Sequence, residues 1–315
     1  KNMPLPWIEK YRPQQIEQIV SHERVKQQIK TFMDQNALPN LLFHGPAGVG
    51  KTTLAKSIAR SIFGENYNQQ IIEINASDEN GIDVVRDKIN NFVKSKQLFQ
   101  TQNSMKLIIL DECDQMSGVA QGALRRIMEL SSGQARFMLI CNYVSKVIPP
   151  LQSRCAIFRF KPIPIDYSIE MLQRIATQEQ MTINAQQLGY IHEICGGDLR
   201  QCINVLECVH MSQKPISDQL IYELSGKPHK DLAVQFVQPM MFKDRCDFLL
   251  GEVLAKGTSL EDFVTCLLKV VLEEMGFEDT QKCALVKKMA EIEEALALGA
   301  DLKTQVAGLV AAFTE

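Results

Sequence analysis

The stretch Gly45-Pro46-Ala47-Gly48-Val49-Gly50-Lys51-Thr52 decides the fold, because it fits the pattern G-x-x-x-x-G-K-[ST] of a phosphate-binding loop. An apolar run precedes it, and residues 54–59 continue it with helical character. The glycines let backbone N–H groups curl around phosphates, Lys51 reaches the β and γ oxygens, and the Thr52 hydroxyl can hold Mg²⁺. A chance glycine turn is the plain alternative, and the flanking strand and helix make it the weaker interpretation. The sequence therefore predicts a nucleotide site at a strand-to-helix turn.

Short apolar runs alternate with segments of helical spacing around this loop. The runs are residues 41–43, 71–74, 107–110, 137–140 and 157–160. Nearly continuous apolar runs are typical of strands buried on both faces, and the spacing between them suits crossover helices. We predict an α/β domain with a parallel sheet over residues 1–161.

Proline and glycine mark two later boundaries. The run Lys161-Pro162-Ile163-Pro164 cannot continue a central strand, and Gly226-Lys227-Pro228 is a second break. We predict a small helical domain over 162–228 and a helical bundle over 229–315, because apolar residues there recur at i, i+3, i+4 and i+7. The last apolar stripe, from Leu302 to Phe313, could face its own bundle or a neighbouring subunit.

Composition excludes several classes of protein. The 315 residues are 45% apolar and 23% charged, which is ordinary globular usage and argues against disordered or fibrous chains. No run approaches a membrane span and the first residues lack a secretory signal, so we expect a soluble intracellular protein. Nine cysteines without a C-x-x-C pair indicate neither zinc nor a disulfide framework. The net charge of −3 argues against a surface coated in positive charge, but a local basic strip could still hold nucleic acid.

Polar residues close two of the predicted strands. Asp111 and Glu112 follow the run 107–110, and Asn142 follows the run 137–141. Because open α/β sheets bind ligands at the carboxyl ends of their strands, we expect Asp111 to hold Mg²⁺ and Glu112 to deprotonate the attacking water. Asn142 is a candidate sensor of the γ-phosphate. Alone, such residues are more often solvated turns or strand caps, and only the phosphate loop makes the functional interpretation the stronger one.

Several sequence boxes stand out along the chain: Trp7–Pro13, the phosphate loop, Asn75–Asp78, Asp111–Asp114, Leu124–Arg126, Ser153–Cys155 and Gly197–Arg200. They occur in the order seen in small subunits of replication factor C, and the sequence closely resembles that clamp-loader family. The resemblance implies an AAA+ ATPase domain, a helical lid domain and a helical collar through which five subunits form an open ring. It also implies ATP and Mg²⁺ as cofactors, a ring-shaped sliding clamp and primer–template DNA as partners, no membrane, a role in replication and repair, and a place in the nucleus.

The resemblance further assigns roles to single residues. Ile8, Arg12 and Val20 would border the adenine and ribose. Asn142 would be the first sensor and Arg200 the second. Arg154, by itself more often part of a surface ion pair, would act as an arginine finger on the neighbour's ATP. The phosphates would be held by Gly45, Pro46, Ala47, Gly48, Val49, Gly50, Lys51, Thr52 and Thr53.

For DNA, the resemblance points to Arg86 and Lys146 near predicted helix ends, with Ile82 beside them. Asn80 stands where relatives usually carry arginine, which puts one phosphate contact in doubt. An apolar cluster of Phe92, Val93, Leu98 and Phe99 could meet the clamp, or could simply be core. Asn75 would restrain Glu112.

Two other functions are weighed against the clamp-loader interpretation. One is a different remodelling AAA+ enzyme, such as a branch-migration motor or protein unfoldase, which should lack the Ser153–Cys155 and Trp7–Pro13 boxes. The other is a ring subunit that binds ATP without hydrolysing it, which loss of Lys51, Glu112 or Asn142 would have signalled.

Overall fold

The computed structural model describes residues 5–19, 21–35, 37–77, 82–94, 105–273 and 277–314, and gives the backbone alone for 82–86, 94 and 256. The chain divides into two compact units, Lys1–Leu206 and Glu207–Glu315. The domain boundaries predicted after residues 161 and 228 stay predictions. Within the described ranges, no helix has both the length and the apolarity needed to cross a bilayer.

A five-stranded parallel sheet forms the centre of the first unit. Its strands lie in the order β2-β3-β4-β1-β5, and every strand pair is parallel, as predicted. The fifth strand ends one residue earlier than the apolar run suggests, although the Phe160 N–H still donates to the His44 carbonyl at 2.7 Å. The strands are β1 (Leu41–His44), β2 (Ile71–Asn75), β3 (Lys106–Asp111), β4 (Ala135–Cys141) and β5 (Ala156–Arg159).

Alternate residues of the central strands bury on opposite faces of this sheet. In β3, Leu107 and Ile109 enter one apolar cluster, while Ile108 and Leu110 enter the other. Helices cover both faces, which explains why the strands are continuously apolar rather than alternating. The register places Asn75 beside Asp111, so polar side chains that end neighbouring strands gather at one edge of the sheet.

The helices of the first unit begin where the sequence supplies a cap or a turn. The Ser117 hydroxyl accepts from the Ala120 N–H at 3.3 Å at the start of α6, and Asn184 and Gln187 form a reciprocal capping box at the start of α9. These helices are α1 (Trp7–Lys10), α2 (Glu23–Asp34), α3 (Lys51–Phe63), α4 (Tyr67–Gln70), α5 (Ile82–Lys94), α6 (Gly118–Leu130), α7 (Pro149–Gln152), α8 (Ile165–Gln178), α9 (Ala185–Ile194) and α10 (Leu199–Met211), within which the unit boundary falls.

The second unit is a helical bundle. Phe236, Phe263 and Phe313 make edge-on ring contacts inside it, with 5.3 Å between the centroids of Phe236 and each of the others. Val306 and Leu309 of the last helix are buried in the same core, so this part of the apolar stripe faces its own bundle, while Leu302 at its start is exposed. The helices are α11 (Asp218–Ser225), α12 (Lys230–Val237), α13 (Phe242–Phe248), α14 (Leu260–Glu273), α15 (Asp279–Ala297) and α16 (Leu302–Ala312).

Candidate nucleotide-binding site

The phosphate loop joins β1 to α3 and depends on glycine at two positions. Gly45 has φ 147° and Gly48 has φ 67°, both in the region that disfavours side chains. A Cβ atom added at Gly45 would lie 2.3 Å from the Phe160 carbonyl oxygen, and one at Gly48 would lie 1.8 Å from Asp198 Oδ1. The loop is therefore closely packed between the end of β5 and the turn that precedes α10, and only backbone fits there.

Lys51, the first residue of α3, lies folded against this loop and is only 7% exposed. Its Nζ donates to the Gly45 carbonyl at 2.7 Å, to the Pro46 carbonyl at 2.6 Å and to Asn142 Oδ1 at 2.8 Å. Burial lowers the pKa of Lys51, and the nearby carboxylate of Asp111 acts in the opposite direction. All three ammonium donors are thus engaged, and the ends of β1 and β4 are held together through this one side chain.

Thr52 and Asp111 meet directly. The Thr52 hydroxyl donates to Asp111 Oδ2 at 2.7 Å, while the Glu112 backbone N–H donates to Asp111 Oδ1 at 3.0 Å. Glu112 has φ 55°, a strained conformation for this residue type. A hydroxyl and a carboxylate side by side are hard oxygen ligands of the kind Mg²⁺ takes from a protein, so the residues present fit that ion.

Asp114 is a site residue that sequence reasoning missed. Its Oδ2 accepts from the backbone N–H groups of Asn142 at 3.2 Å and Tyr143 at 3.1 Å, and the residue is only 6% exposed. Its other oxygen, Oδ1, is buried without a hydrogen-bond partner in the described part of the chain. The available signal was the sequence Asp111-Glu112-Cys113-Asp114 itself, in which Asp114 is the third acidic residue. Asp114 thus fixes the backbone that carries the candidate sensor.

A cavity of about 250 Å³ lies between the phosphate loop, Asp111 and Asn142. The predicted residues that line it are Ile8, Arg12, Ala47, Gly48, Val49, Gly50, Lys51, Thr52, Thr53, Asp111, Glu112, Asn142 and Arg200. Gly45 and Pro46 reach the site through the carbonyls that hold Lys51. Val20 lies outside the described residues.

Other lining residues were not predicted. Tyr167 and Met171 are four apart on α8, and Leu199 and Ile203 are four apart on α10, so one face of each helix borders the cavity. That spacing was the signal that could have found them. The remaining unpredicted residues are Tyr11, Pro13, Ile19, Ser21 and Ile163.

Arg154 does not line this cavity. Its guanidinium lies at the surface after α7, where Nη2 contacts Glu129 Oε1 at 2.5 Å and Nη1 donates to the Pro150 carbonyl at 2.7 Å. The structure therefore places Arg154 apart from Lys51, Asp111 and Asn142, which it brings together.

The predicted nucleic-acid residues are only partly described. Lys146 is exposed, and its Nζ lies 5.2 Å from the ring centroid of Tyr143. The side chains of Ile82 and Arg86 lie outside the described residues, as do Asn80, Leu98 and Phe99. Phe92 and Val93 are partly buried against the core, which favours the core interpretation for those two. Asn75 Oδ1 accepts from the Ser77 N–H and hydroxyl, and its action on Glu112 stays a prediction.

The sheet, the phosphate loop and the acids beside it define an AAA ATPase, a nucleotide-binding enzyme. Residues 41–163 match the family described as ATPase family associated with various cellular activities. The fold also resembles the RuvB Holliday junction branch migration motor of Thermotoga maritima, with a TM-score of 0.54 and 16% identity over 81% of this chain and 90% of that one. At that identity, the likeness concerns the fold alone.

The helical second unit narrows the class. Residues 228–312 match the replication factor C C-terminal domain. The probable replication factor C subunit 5 of Dictyostelium discoideum is 38% identical over 98% of this chain and 90% of its own length. The replication factor C small subunit of Archaeoglobus fulgidus is 37% identical over 95% and 94%, and human replication factor C subunit 5 is 34% identical over 98% and 91%. The chain belongs to the replication factor C small-subunit family, as its sequence boxes indicated.

Proposed function

We propose that this chain is a small subunit of a hetero-pentameric, DNA-dependent clamp loader. In this proposal it binds ATP and Mg²⁺ and, with four other subunits, opens a ring-shaped sliding clamp and loads it onto primer–template DNA in the nucleus, in replication and repair. The observation that carries the proposal is the cavity where Lys51, the Thr52–Asp111 pair and Asn142 meet, in a chain of this family.

The side chains of the cavity support hydrolysis at this chain's own site. Lys51 would contact the β and γ oxygens, and Asn142, already bonded to Lys51, would register the γ-phosphate. Glu112 would take a proton from a water whose oxygen bonds to the γ-phosphorus, while the bond to the bridging oxygen of ADP breaks. Mg²⁺, held by Thr52 and Asp111, would neutralise charge on the phosphates. Arg200 would add a second cation from the turn that begins α10.

The position of Arg154 supports its action on a neighbour. An arginine that stabilises the transition state must touch the transferred phosphate, and Arg154 is held at the surface outside its own cavity. In the ring it would complete the site of the adjacent subunit. The isolated chain is then expected to hydrolyse ATP poorly, because its own site lacks the arginine that a neighbour supplies.

The testing experiment is steady-state ATP hydrolysis by the reconstituted complex, with and without clamp and primer–template DNA. Wild type is compared with Glu112→Gln in this chain alone. We expect clamp and DNA to stimulate the rate, and the variant to lose one site's share of it. An unchanged rate would instead support a subunit that binds ATP without hydrolysing it. A complex that responds to neither clamp nor DNA would contradict the clamp-loader proposal itself.

A further inference from the structure

Glu129 and Arg154 come from distant parts of the chain and meet on one surface. Glu129 lies in the last turn of α6, and Arg154 follows α7, twenty-five positions later. Their side chains are 41% and 36% exposed, so neither is forced into contact by burial. Arg125, one helical turn before Glu129, has its Nε 4.0 Å from the same Oε1 atom. One carboxylate therefore stands between two guanidinium groups.

Among the described residues, two groups accept hydrogen bonds from the Arg154 guanidinium. Glu129 takes Nη2, and the Pro150 carbonyl takes Nη1. A guanidinium carries five N–H donors in a rigid plane, so donors remain for a phosphate after both contacts are made. An arginine without such contacts would lose the conformational entropy of several rotatable bonds when it binds a ligand. An arginine already held by hydrogen bonds has lost much of that entropy beforehand.

We propose that Glu129 is a positioning residue for Arg154: it holds the guanidinium in the orientation in which it meets the neighbouring subunit's nucleotide. This inference rests on the proposed function, because it needs Arg154 to act in trans. Glu129 itself touches neither the nucleotide nor its own chain's cavity. Its effect is exerted through the arginine.

The direction in which removal of Glu129 changes the hydrolysis rate distinguishes orientation of Arg154 from competition with phosphate. A carboxylate that competed with phosphate for Arg154 would slow hydrolysis, and its removal would raise the rate. A carboxylate that orients the fork does the reverse. The contacts support orientation, since two arginines share the single carboxylate of Glu129, and the Pro150 carbonyl holds the Arg154 guanidinium from a second direction.

The test uses the reconstituted complex with clamp and DNA, with Glu112→Gln in this chain so that its own site is silent. Single-turnover hydrolysis at the neighbouring site is measured for Glu129→Gln, Glu129→Asp, Arg154→Ala and the Glu129→Gln/Arg154→Ala double variant. Glu170→Gln is the matched control, because it removes an exposed carboxylate from α8 instead. Nucleotide affinity of the neighbouring site and assembly of the ring are measured alongside.

We expect Glu129→Gln to slow the neighbouring site by about three- to tenfold, the range that follows from ordering one long side chain. Glu129→Asp should fall between Glu129→Gln and wild type, and nucleotide affinity should not change. The double variant should be no slower than Arg154→Ala, since Glu129 has no route except through that arginine.

The possible outcomes test the positioning role of Glu129 separately from the proposed function. If Arg154→Ala slows the neighbour and Glu129→Gln does not, or speeds it, the positioning role is wrong and the proposed function stands. If Glu129→Gln adds its full effect on top of Arg154→Ala, or prevents assembly, Glu129 acts elsewhere and the inference is overturned. If Arg154→Ala leaves the neighbour unaffected, the trans arginine of the proposed function fails, and the inference fails with it.

Discussion

The phosphate site and the Arg154 face belong to the same unit but are held together differently. At the phosphate site, side chains hydrogen-bond to one another: the buried Lys51 donates to Asn142, and Thr52 donates to Asp111, both half-buried. On the Arg154 face the contacts are exposed ion pairs, and Leu130 beside them is 89% exposed. Exposed ion pairs contribute little to stability, whereas buried polar groups are costly to leave unpaired. The side chains of the first region are therefore held mainly by one another, whereas those of the second stay accessible, as the proposed contact with a neighbouring subunit requires.

The largest effect that separates the two regions is expected from Lys51→Ala. This change removes the cation that joins the loop to Asn142 and would contact the phosphates. We expect hydrolysis at this chain's own site to fall by about a hundredfold or more, as for other preorganised electrostatic groups. Hydrolysis and binding of a fluorescent ATP analogue would be measured in the reconstituted complex.

Lys214→Ala is the control for Lys51→Ala, since it removes an exposed lysine from the second unit. Arg154→Ala should leave ATP binding at its own site unchanged. If Arg154→Ala weakened binding at its own site as much as Lys51→Ala does, the two regions would not be separate.

An intermediate effect is expected from Asp114, the buried support of the phosphate site. Asp114→Ala leaves two backbone N–H groups, those of Asn142 and Tyr143, without their acceptor. We expect the free energy of unfolding to fall by about 1–3 kcal/mol, the usual cost of unpaired buried groups, and ATP binding to weaken as Asn142 loses its position. Denaturant titration of the chain and ATP binding measure the two effects.

Asp114→Asn serves as the matched variant, because its amide oxygen can still accept from both N–H groups. It should cost less stability than Asp114→Ala. Equal losses from both variants would mean that the carboxylate charge, rather than the acceptor, holds the sensor backbone.

The local parts of this site were predictable, and the supporting parts were not. The strands, the phosphate loop, Asp111 and Asn142 follow from patterns within a few residues, because each sits where a buried strand ends. The contact between Glu129 and Arg154, and that between Asp114 and the Asn142 backbone, join separate segments. No local pattern encodes which distant carboxylate meets a given donor. The stripe of α16 was ambiguous for the same reason, since periodicity shows that a face is apolar but not what covers it.

A smaller, pH-dependent effect is expected from His22, which lies against Phe160 behind the phosphate loop with 4.7 Å between ring centroids. Burial lowers the pKa of His22, and burial also lowers that of His44. The folded chain therefore binds fewer protons than the unfolded chain just below the ordinary histidine pKa of about 6.5. The contribution of these histidines to the free energy of unfolding should be fully present above that pH. It should decline as the pH falls through 6.5 towards the folded-state pKa.

His22→Asn tests whether His22 causes this loss of stability in acid, because asparagine tolerates the φ of 65° at this position. The variant should show a shallower loss of stability between about pH 6.5 and 5 than wild type, in denaturant titrations at several pH values. His210→Asn, at an exposed position of α10, is the comparison. An acid decline as steep in His22→Asn as in wild type would assign it to other groups.

The smallest effect on the free energy of unfolding is expected from substitution of Leu130, because this residue lies on the exposed side of its helix. Leu130→Ser should change the free energy of unfolding of the chain by no more than about 0.5 kcal/mol, because an exposed side chain has little packing to lose. Leu124→Ser, on the same helix at 2% exposure, should cost about 2–5 kcal/mol, since it leaves a cavity and buries a hydroxyl. If the two substitutions destabilised the chain equally, the Arg154 face would already be covered within the chain. Its ion pairs would then be structural contacts, and the contrast with the phosphate site would not hold.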